Sequence, residues 1–428
     1  MLFKHSLVLF FLGYTLLHAQ QPKVNQDRLE NRILELAQFG LQENGETERV
    51  AFSDADVAAQ QWVVQTLKDL GLQVHIDFAG NVVGMRKGTD ATLKPIAFGS
   101  HIDRVPNGGN YDGCVGSMAS LEVLEVLNEH NIKTKHPLEV LIFSNEEGGV
   151  MGSRALAGHL GKDALKVTNS TGFTMGEGIM RLGGDTTRIA EVARKKGDLA
   201  AFLELHIEQG GILEKENLDI GIVEGIVGLK WWDVEFTGFA NHAGTTPMNA
   251  RQDALLAAAK FIVAVNDITN SFEGAQVGTV GKIKAEPGAP NVIPGKVVTS
   301  LEIRDLSSEV IEKVYRAIEE KGAQIASASN VQIEFRPLDT TADPAIMDST
   351  IQSEIEASAE KLKLSTKRMP SGAGHDAQDM AMITPTGMIF VPSKGGISHS
   401  PKEFTTAEDM ANGANVLLHT ILALDKKL

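Results

Sequence analysis

Four short apolar runs in this 428-residue chain each lead into polar residues able to do chemistry. PIAFGS runs into His101-Ile102-Asp103, LEVLIFSN into Glu146-Glu147, AFLEL into His206-Ile207-Glu208-Gln209, and MIFVPS leads to the loop carrying His399. Between the first two, Gly108-Gly109-Asn110-Tyr111-Asp112-Gly113 opens a helical pattern with Asp112 at its start. Singly, each has an ordinary structural reading: a hydrogen-bonded strand-end histidine, a turn or helix cap at Asp112, a solvated acidic pair at Glu146-Glu147. Jointly they form a metal-ligand inventory. His-x-Asp supplies an imidazole and a carboxylate two residues on that can accept its other N–H, and adjacent glutamates suit one ligand and one proton carrier. Five ligands overfill one tetrahedral site, whereas a bridging carboxylate divides them between two ions about 3.5 Å apart. A binuclear hydrolase is the inference.

The elements that must position these residues follow from the periodicity. Helical spacing over Asp27 to Leu72 gives way to strands alternating with helices, which predicts a mostly parallel α/β sheet. Ligands bind such sheets at the carboxyl ends of the strands, where the polar residues fall. The middle of the chain reads as strand over 222–238, helix over 253–271, strands over 276–285 and 297–305, helix over 308–327 and strand over 330–337. That is the β-α-β-β-α-β order of a ferredoxin-like split unit. The resulting division is 1–20 signal peptide, 21–221 first catalytic segment, 222–338 inserted domain and 339–428 second catalytic segment.

Composition narrows the class. Lys and Arg number 40 against 55 Asp and Glu, a formal charge of −15, which fits neither a nucleic-acid binder nor an anionic membrane surface. The single cysteine, Cys114, permits no intrachain disulfide. No G-x-x-x-x-G-K-[ST] occurs, which argues against nucleotide use. Lys4 and His5 precede the apolar run Leu7 to Leu17, with Ala19 placed for a cut, so export to the periplasm or medium is expected, with no stable membrane insertion after cleavage.

The chain resembles the amidase, hydantoinase and carbamoylase branch of the M20 metallopeptidase superfamily, which includes N-carbamoyl-L-amino-acid hydrolases, allantoate amidohydrolases and β-ureidopropionases. The motifs that carry the resemblance are GSHIDRVPNGGNYDG at 99–113, NEEGG with GSRALAG at 145–158, ELHIEQG at 204–210, HAGTTPM at 242–248, PNVIPG at 290–295, LEIRD at 301–305, and SGAGHDAQDM with GGISHSPKE near the end. The resemblance implies a two-domain hydrolase whose inserted four-stranded unit is a lid and a homodimerisation surface. It assigns His101 and His206 to one ion, Glu147 and His399 to the other, and Asp112 to the bridge. Glu146 takes the general acid/base role, Asp103 orients His101, and His242 stabilises the oxyanion. Gln209, His242, Asn291 and Arg304 face the substrate, Arg304 being suited to a bidentate carboxylate contact. Two divalent ions per subunit are implied: zinc suits the ligands, and manganese, cobalt or nickel are chemically admissible.

The reaction so implied is hydrolysis of a linear amide or ureido C–N bond in a small carboxylate substrate. Two other readings stand beside it: an aminopeptidase or dipeptidase on the same scaffold, disfavoured by His206 where peptidase branches carry an acid, and an inactive exported binding protein. Two departures from the family pattern bear on the pocket. Arg104 stands where a small hydroxyl residue is usual, and the stretch from Glu147 to Gly152 is several residues short. His375 and Asp376 read as pocket wall or as a helix start.

Overall fold

The computed structural model describes residues 21–338 and 342–428, and the expected signal segment lies outside them. Two helices come first, Gln26–Leu36 and Asp54–Asp69. Asn25 accepts from the Arg28 N–H and Ser53 from the Asp56 N–H, so each helix begins with a donor of its first turn satisfied by the residue before it.

Six strands follow: β1 (Gln73–Ile76), β2 (Val82–Arg86), β3 (Ile96–His101), β4 (Leu138–Phe143), β5 (Ala201–Ile207) and β6 (Ile220–Ile226). The chain then forms β7 (Gly228–Thr237), β8 (Asn241–His242), β9 (Val277–Thr279), β10 (Ile283–Glu286), β11 (Val292–Ile293), β12 (Lys296–Asp305) and β13 (Gln332–Pro337). The last three are β14 (Ala345–Ile346), β15 (Thr366–Ser371) and β16 (Thr386–Val391). The fold is mixed α/β. Its large sheet runs β1-β2-β4-β3-β5-β16-β6-β14, with β15 also on β6. The middle quartet, β4-β3-β5-β16, is parallel throughout.

Every residue of that quartet is buried, which is why the strands read as largely apolar runs rather than as alternation. One face packs on helices Cys114–Glu129 and Ala407–Lys427; the other holds Phe143, Phe202, Met388 and Phe390. Truncating a buried phenylalanine such as Phe202 to alanine costs about 3–5 kcal/mol, a large share of a domain's stability.

The second sheet runs β10-β12-β7-β13, with β9 beside β10 on the same edge of β12. All its pairs are antiparallel. Helices Ala254–Ser271 and Ser308–Ser329 cover one face, over Trp232, Val234, Phe236, Leu301 and Ile303. Here the structure corrects the sequence reading twice. The strand expected over 222–238 is two strands in two sheets: β6 belongs to the large sheet and is nearly all buried, whereas β7 alternates. The change of period at Gly228 marks the crossing, and a Cβ there would meet Pro344 at 2.5 Å. The strand expected over 276–285 is likewise two, β9 and β10, so the sheet has five strands.

Candidate active site

Because β4, β3, β5 and β16 are parallel neighbours, their carboxyl ends share one edge of the sheet, and the four polar groups singled out in the sequence converge there. β3 ends at His101, β4 is followed by Glu146 and Glu147, β5 carries His206, and the segment after β16 brings His399. Asp112 precedes the helix Cys114–Glu129 but does not cap it; Gly113 occupies the cap position with no side-chain bond to the helix. The Asp112 carboxylate turns instead toward the histidines. Gly113 makes this possible: its φ is 63°, and a Cβ there would lie 2.2 Å from the His101 ring.

The two oxygens of Asp112 serve two sides. Oδ1 lies 3.1 Å from His206 Nε2 and 3.8 Å from His101 Nε2. Oδ2 lies 3.4 Å from His399 Nε2, which is also 3.4 Å from Glu147 Oε2. His101, Asp112 and His206 thus form one group of ligand atoms within 4.8 Å of one another, and Asp112, Glu147 and His399 form a second, with Asp112 common to both.

The ring orientations suit a cation. His101 Nδ1 is 3.1 Å from the Asp103 carbonyl and His206 Nδ1 is 2.9 Å from the Ile207 carbonyl. A carbonyl only accepts, so both rings carry hydrogen on Nδ1 and direct Nε2 inward, the outer-sphere contact that fixes a ligating tautomer. His101 Nε2 is buried and, among the described residues, makes no hydrogen bond. The Gly113 N–H donates to His206 Nε2 at 3.1 Å. Asp103 acts differently from expectation. Its carboxylate stands 3.6 Å from His101 Nδ1 and instead accepts the backbone N–H groups of Glu146 (3.2 Å) and Glu147 (3.1 Å), so it holds the glutamate turn while its carbonyl orients the histidine.

Charge is concentrated here. Burial would push Asp112 up, but hydrogen bonds with His206 and His399 and the charges of His206 and His101 hold it well below the usual carboxylate range. Burial pushes Glu146 well above its ordinary value, opposed by His101 and reinforced by Asp376 and Glu147. Burial and then the Asp112 charge push Glu147 up to about 7. The contact with Asp112, against burial and with help from Glu147, raises His399 to about 9. Burial would lower His101 and His206, yet the surrounding carboxylates raise both. An edge so rich in carboxylates calls for cationic partners.

Gln209, expected at the substrate, donates from Nε2 to Asp112 Oδ2 at 2.7 Å and holds φ at 57°. His375 backs the site: its ring meets that of His206 edge-on at 4.4 Å and its Nε2 is 2.8 Å from Ser371 Oγ. Asp376 is fully buried, and among the described residues neither of its carboxylate oxygens is hydrogen-bonded. Arg104 is buried too; Nη2 donates to the Gly108 carbonyl, and burial followed by the charge of Arg49 lowers it to about 10. Sequence reasoning missed Glu403 and Ser398. Glu403 accepts the backbone N–H groups of Tyr111 (2.9 Å) and Asp112 (3.0 Å), and Ser398 Oγ lies 2.8 Å from Asp112 Oδ2. Both sit inside the quoted GGISHSPKE motif, so their proximity to His399 was the available signal.

His242 lies in, and Asn291 just before, a separate two-stranded ribbon of β8 and β11, and Arg304 lies on β12 of the second sheet; among the described residues, none of the three makes a hydrogen bond or ion pair with the metal-ligand cluster. His242 is exposed, and its turn pairs with that of Asn291: Val292 is the ladder partner of His242, and the Ala243 N–H donates to the Asn291 carbonyl at 2.9 Å. Arg304 holds Glu302 through Nε (2.8 Å) and Nη2 (3.1 Å) and donates from Nη1 to the Gly372 carbonyl at 2.7 Å. Gly372 adjoins Ser371, the partner of His375, so the Arg304 contact reaches the large sheet close to the site.

The model of Peptidase family M20/M25/M40 matches residues 97–423. The N-carbamoyl-L-amino acid amidohydrolase of Geobacillus stearothermophilus is 40% identical over 406 residues, covering 94% of this chain and 99% of that protein. The ureidoglycolate hydrolase of Arabidopsis thaliana is 38% identical over 418 residues, 95% of this chain and 88% of that protein. Among solved structures, an amidase of the hydantoinase/carbamoylase family from Burkholderia multivorans is similar with a TM-score of 0.88 at 36% identity, covering 95% of this chain and 99% of that one.

Proposed function

This chain belongs to Peptidase family M20/M25/M40, and from that premise we propose that it hydrolyses linear amide or ureido C–N bonds, other than peptide bonds, in small carboxylate substrates of the N-carbamoyl-L-amino acid, allantoate or ureidopropionate type. The observation that carries the reading is the division of the Asp112 oxygens between a two-histidine side and a Glu147–His399 side. The names of the relatives at 38–40% identity support the bond type.

The donor set fits two divalent ions: His101, His206 and Asp112 would hold one, Glu147, His399 and Asp112 the other. When bound, such ions lower the pKa of water and polarise a carbonyl. Glu146, buried with its carboxyl raised, takes the proton from the attacking water and returns it to the leaving nitrogen. The Asp103 carboxylate fixes the turn that aims Glu146. The second unit acts as a lid: Arg304 takes the substrate carboxylate in place of Glu302, Gln209 and Asn291 hold polar groups, and His242 donates to the developing oxyanion.

Cation and proton compete for the same lone pairs. With Glu147 at about 7 and His399 at about 9, a cation at their side must expel a proton from His399 throughout pH 7–9. Affinity there rises with pH, by about tenfold per unit across that window, and levels off above it. Calorimetric titration with Zn²⁺ at pH 7 and 8.5 checks the slope; an affinity that falls with pH contradicts the ligand set.

The proposal includes a homodimer, supported by the apolar face left open on helix Ala254–Ser271, where Leu255, Leu256 and Val263 are exposed. Arg304→Ala is expected to raise KM for a carboxylate substrate by about ten- to a hundredfold, the worth of a charged hydrogen-bond pair. Mixing an Arg304→Ala, His242→Ala chain with a Glu146→Gln chain restores one complete site per heterodimer if the lid serves its partner, and no recovery in verified heterodimers rules that out. Export rests on residues 1–20 alone; among the described residues no helix is long and apolar enough to cross a membrane.

The deciding experiment offers mature protein, reconstituted with zinc or manganese, N-carbamoyl amino acids, allantoate, β-ureidopropionate and dipeptides, with ammonia and free amine both measured. Ammonia from the ureido compounds with inert dipeptides is the expected result. Turnover of dipeptides alone would replace this reading with the peptidase one, and no turnover at all would point to a binding protein.

A further inference from the structure

His101 and His206 need no special device to hold their places, because each projects from a strand buried on both faces. His399 has no such support. It lies about halfway through the connection between β16 and the helix Ala407–Lys427, is half-exposed, and holds a left-handed φ of 52°. Asp112, to which it must be matched, comes from a segment nearly three hundred residues away. What spans the two is Glu403, only 4% exposed.

One carboxylate oxygen of Glu403, Oε1, accepts both the Tyr111 N–H at 2.9 Å and the Asp112 N–H at 3.0 Å. The other, Oε2, lies 2.9 Å from Ser398 Oγ, and that hydroxyl also lies 2.8 Å from Asp112 Oδ2. Glu403 therefore grips the backbone at Asp112, while Ser398, the residue before His399, touches the Asp112 carboxylate. The fit is close. A Cβ on Gly109 would come within 2.1 Å of Glu403 Oε1, so the 108–113 loop folds tightly over this side chain only because a glycine stands there. Beside it, the Tyr111 ring meets the Phe404 ring edge-on at 5.5 Å, tying the same two segments a second time.

We infer that Glu403, acting through Ser398, is a positioning residue that sets the His399 loop against Asp112 and thereby determines how tightly the second of two divalent ions is held. This rests on the binuclear reading above and deepens it. The effect falls mainly on one side, because Ser398 contacts Asp112 Oδ2, the oxygen that faces His399, whereas Oδ1 faces His206. It also requires a particular hydrogen pattern. One hydroxyl hydrogen on Ser398 cannot be donated to two carboxylates at once. Glutamine at position 403 keeps an oxygen for the two backbone N–H groups and offers an N–H to Ser398 Oγ, which leaves the serine hydrogen for Asp112. Alanine offers neither.

The test is titration of metal-free full-length mature protein with Co²⁺, followed by visible absorption and calorimetry, for wild type, Glu403→Ala, Glu403→Gln and Ser398→Ala. Wild type is expected to take up two ions in distinguishable steps. Glu403→Ala weakens the second step by about ten- to a hundredfold, the usual effect of removing an outer-sphere partner of a ligand, and moves the first by less than about threefold. Ser398→Ala weakens the same step, and Glu403→Gln stays within about threefold of wild type on both. A general structural role would lower both steps together or make glutamine as damaging as alanine, and either result overturns the inference. Should Glu403→Ala fail to fold, Ser398→Ala and Glu403→Gln decide it by the same criteria. Two wild-type steps that all the variants leave unchanged overturn the positioning role alone, whereas uptake of a single ion per wild-type chain overturns the binuclear reading and this inference with it.

Discussion

Glu146→Gln is expected to lower kcat by about a hundred- to ten-thousand-fold while both ions stay bound. The amide matches the carboxylate in shape but accepts no proton at neutral pH, so the loss falls on proton transfer rather than on the architecture. The position supports the assignment. Glu146 is almost wholly buried, its N–H is held by Asp103, and its Oε2 lies 3.7 Å from His101 Nε2, close enough to reach a water beside the ligands without belonging to either ligand group. Burial raises its carboxyl, which makes its carboxylate a better base than an exposed glutamate. Glu147→Gln contrasts with it. Glu147 Oε2 faces His399 Nε2, so that substitution is expected to weaken an ion first and activity in consequence. Metal content and kcat measured on both variants separate the roles, and the reverse pattern would exchange them.

Much of this site was legible because the chemistry sits where the pattern of the chain changes. Each of the four buried parallel strands is a mostly apolar run, broken by Glu139 in β4 and Glu204 in β5, and the charged or imidazole residues at or after its end stand out against that background. What the sequence left open was which strands are neighbours; the β4-β3-β5-β16 order turns four separate strand ends into one edge. The ordinary reading of Asp112 as a helix cap failed for a local reason, since Gly113 takes the cap position and leaves the carboxylate free. The misread segments have physical causes as well. β6 and β7 adjoin with only Val227 between them, so the apolar character of a two-faced buried strand runs on into an alternating one. Glu403 escaped notice because a lone acid after a proline and a lysine reads as surface, and only the fold brings it onto the Asp112 backbone. Arg304 is bonded to Glu302 on the same strand face, a contact that a substrate carboxylate would have to displace.

Asp112→Ala is expected to abolish uptake of both ions, taking metal content from about two per chain to near zero, whereas His399→Ala weakens mainly one. The asymmetry follows from geometry. Deleting His399 leaves the His101–Asp112–His206 group complete, but deleting the Asp112 carboxylate removes a member from each group at once. It also strips neighbours of partners, since Gln209 Nε2 and Ser398 Oγ both contact Oδ2 and His206 Nε2 faces Oδ1. Loss of metal and loss of fold must therefore be told apart, and pH does so. In the metal-free wild type the Asp112 carboxyl is held well below its ordinary value, so its contribution to stability is present above the unfolded-state pKa and disappears as acid carries the pH down through the folded-state value. Metal-free Asp112→Ala lacks that contribution and shows a smaller acid-induced fall in unfolding temperature than metal-free wild type, together with no rise on adding Zn²⁺ at pH 8. A variant that still binds one ion tightly would mean that Asp112 serves a single side, and the five ligands would then have to be divided without a bridge.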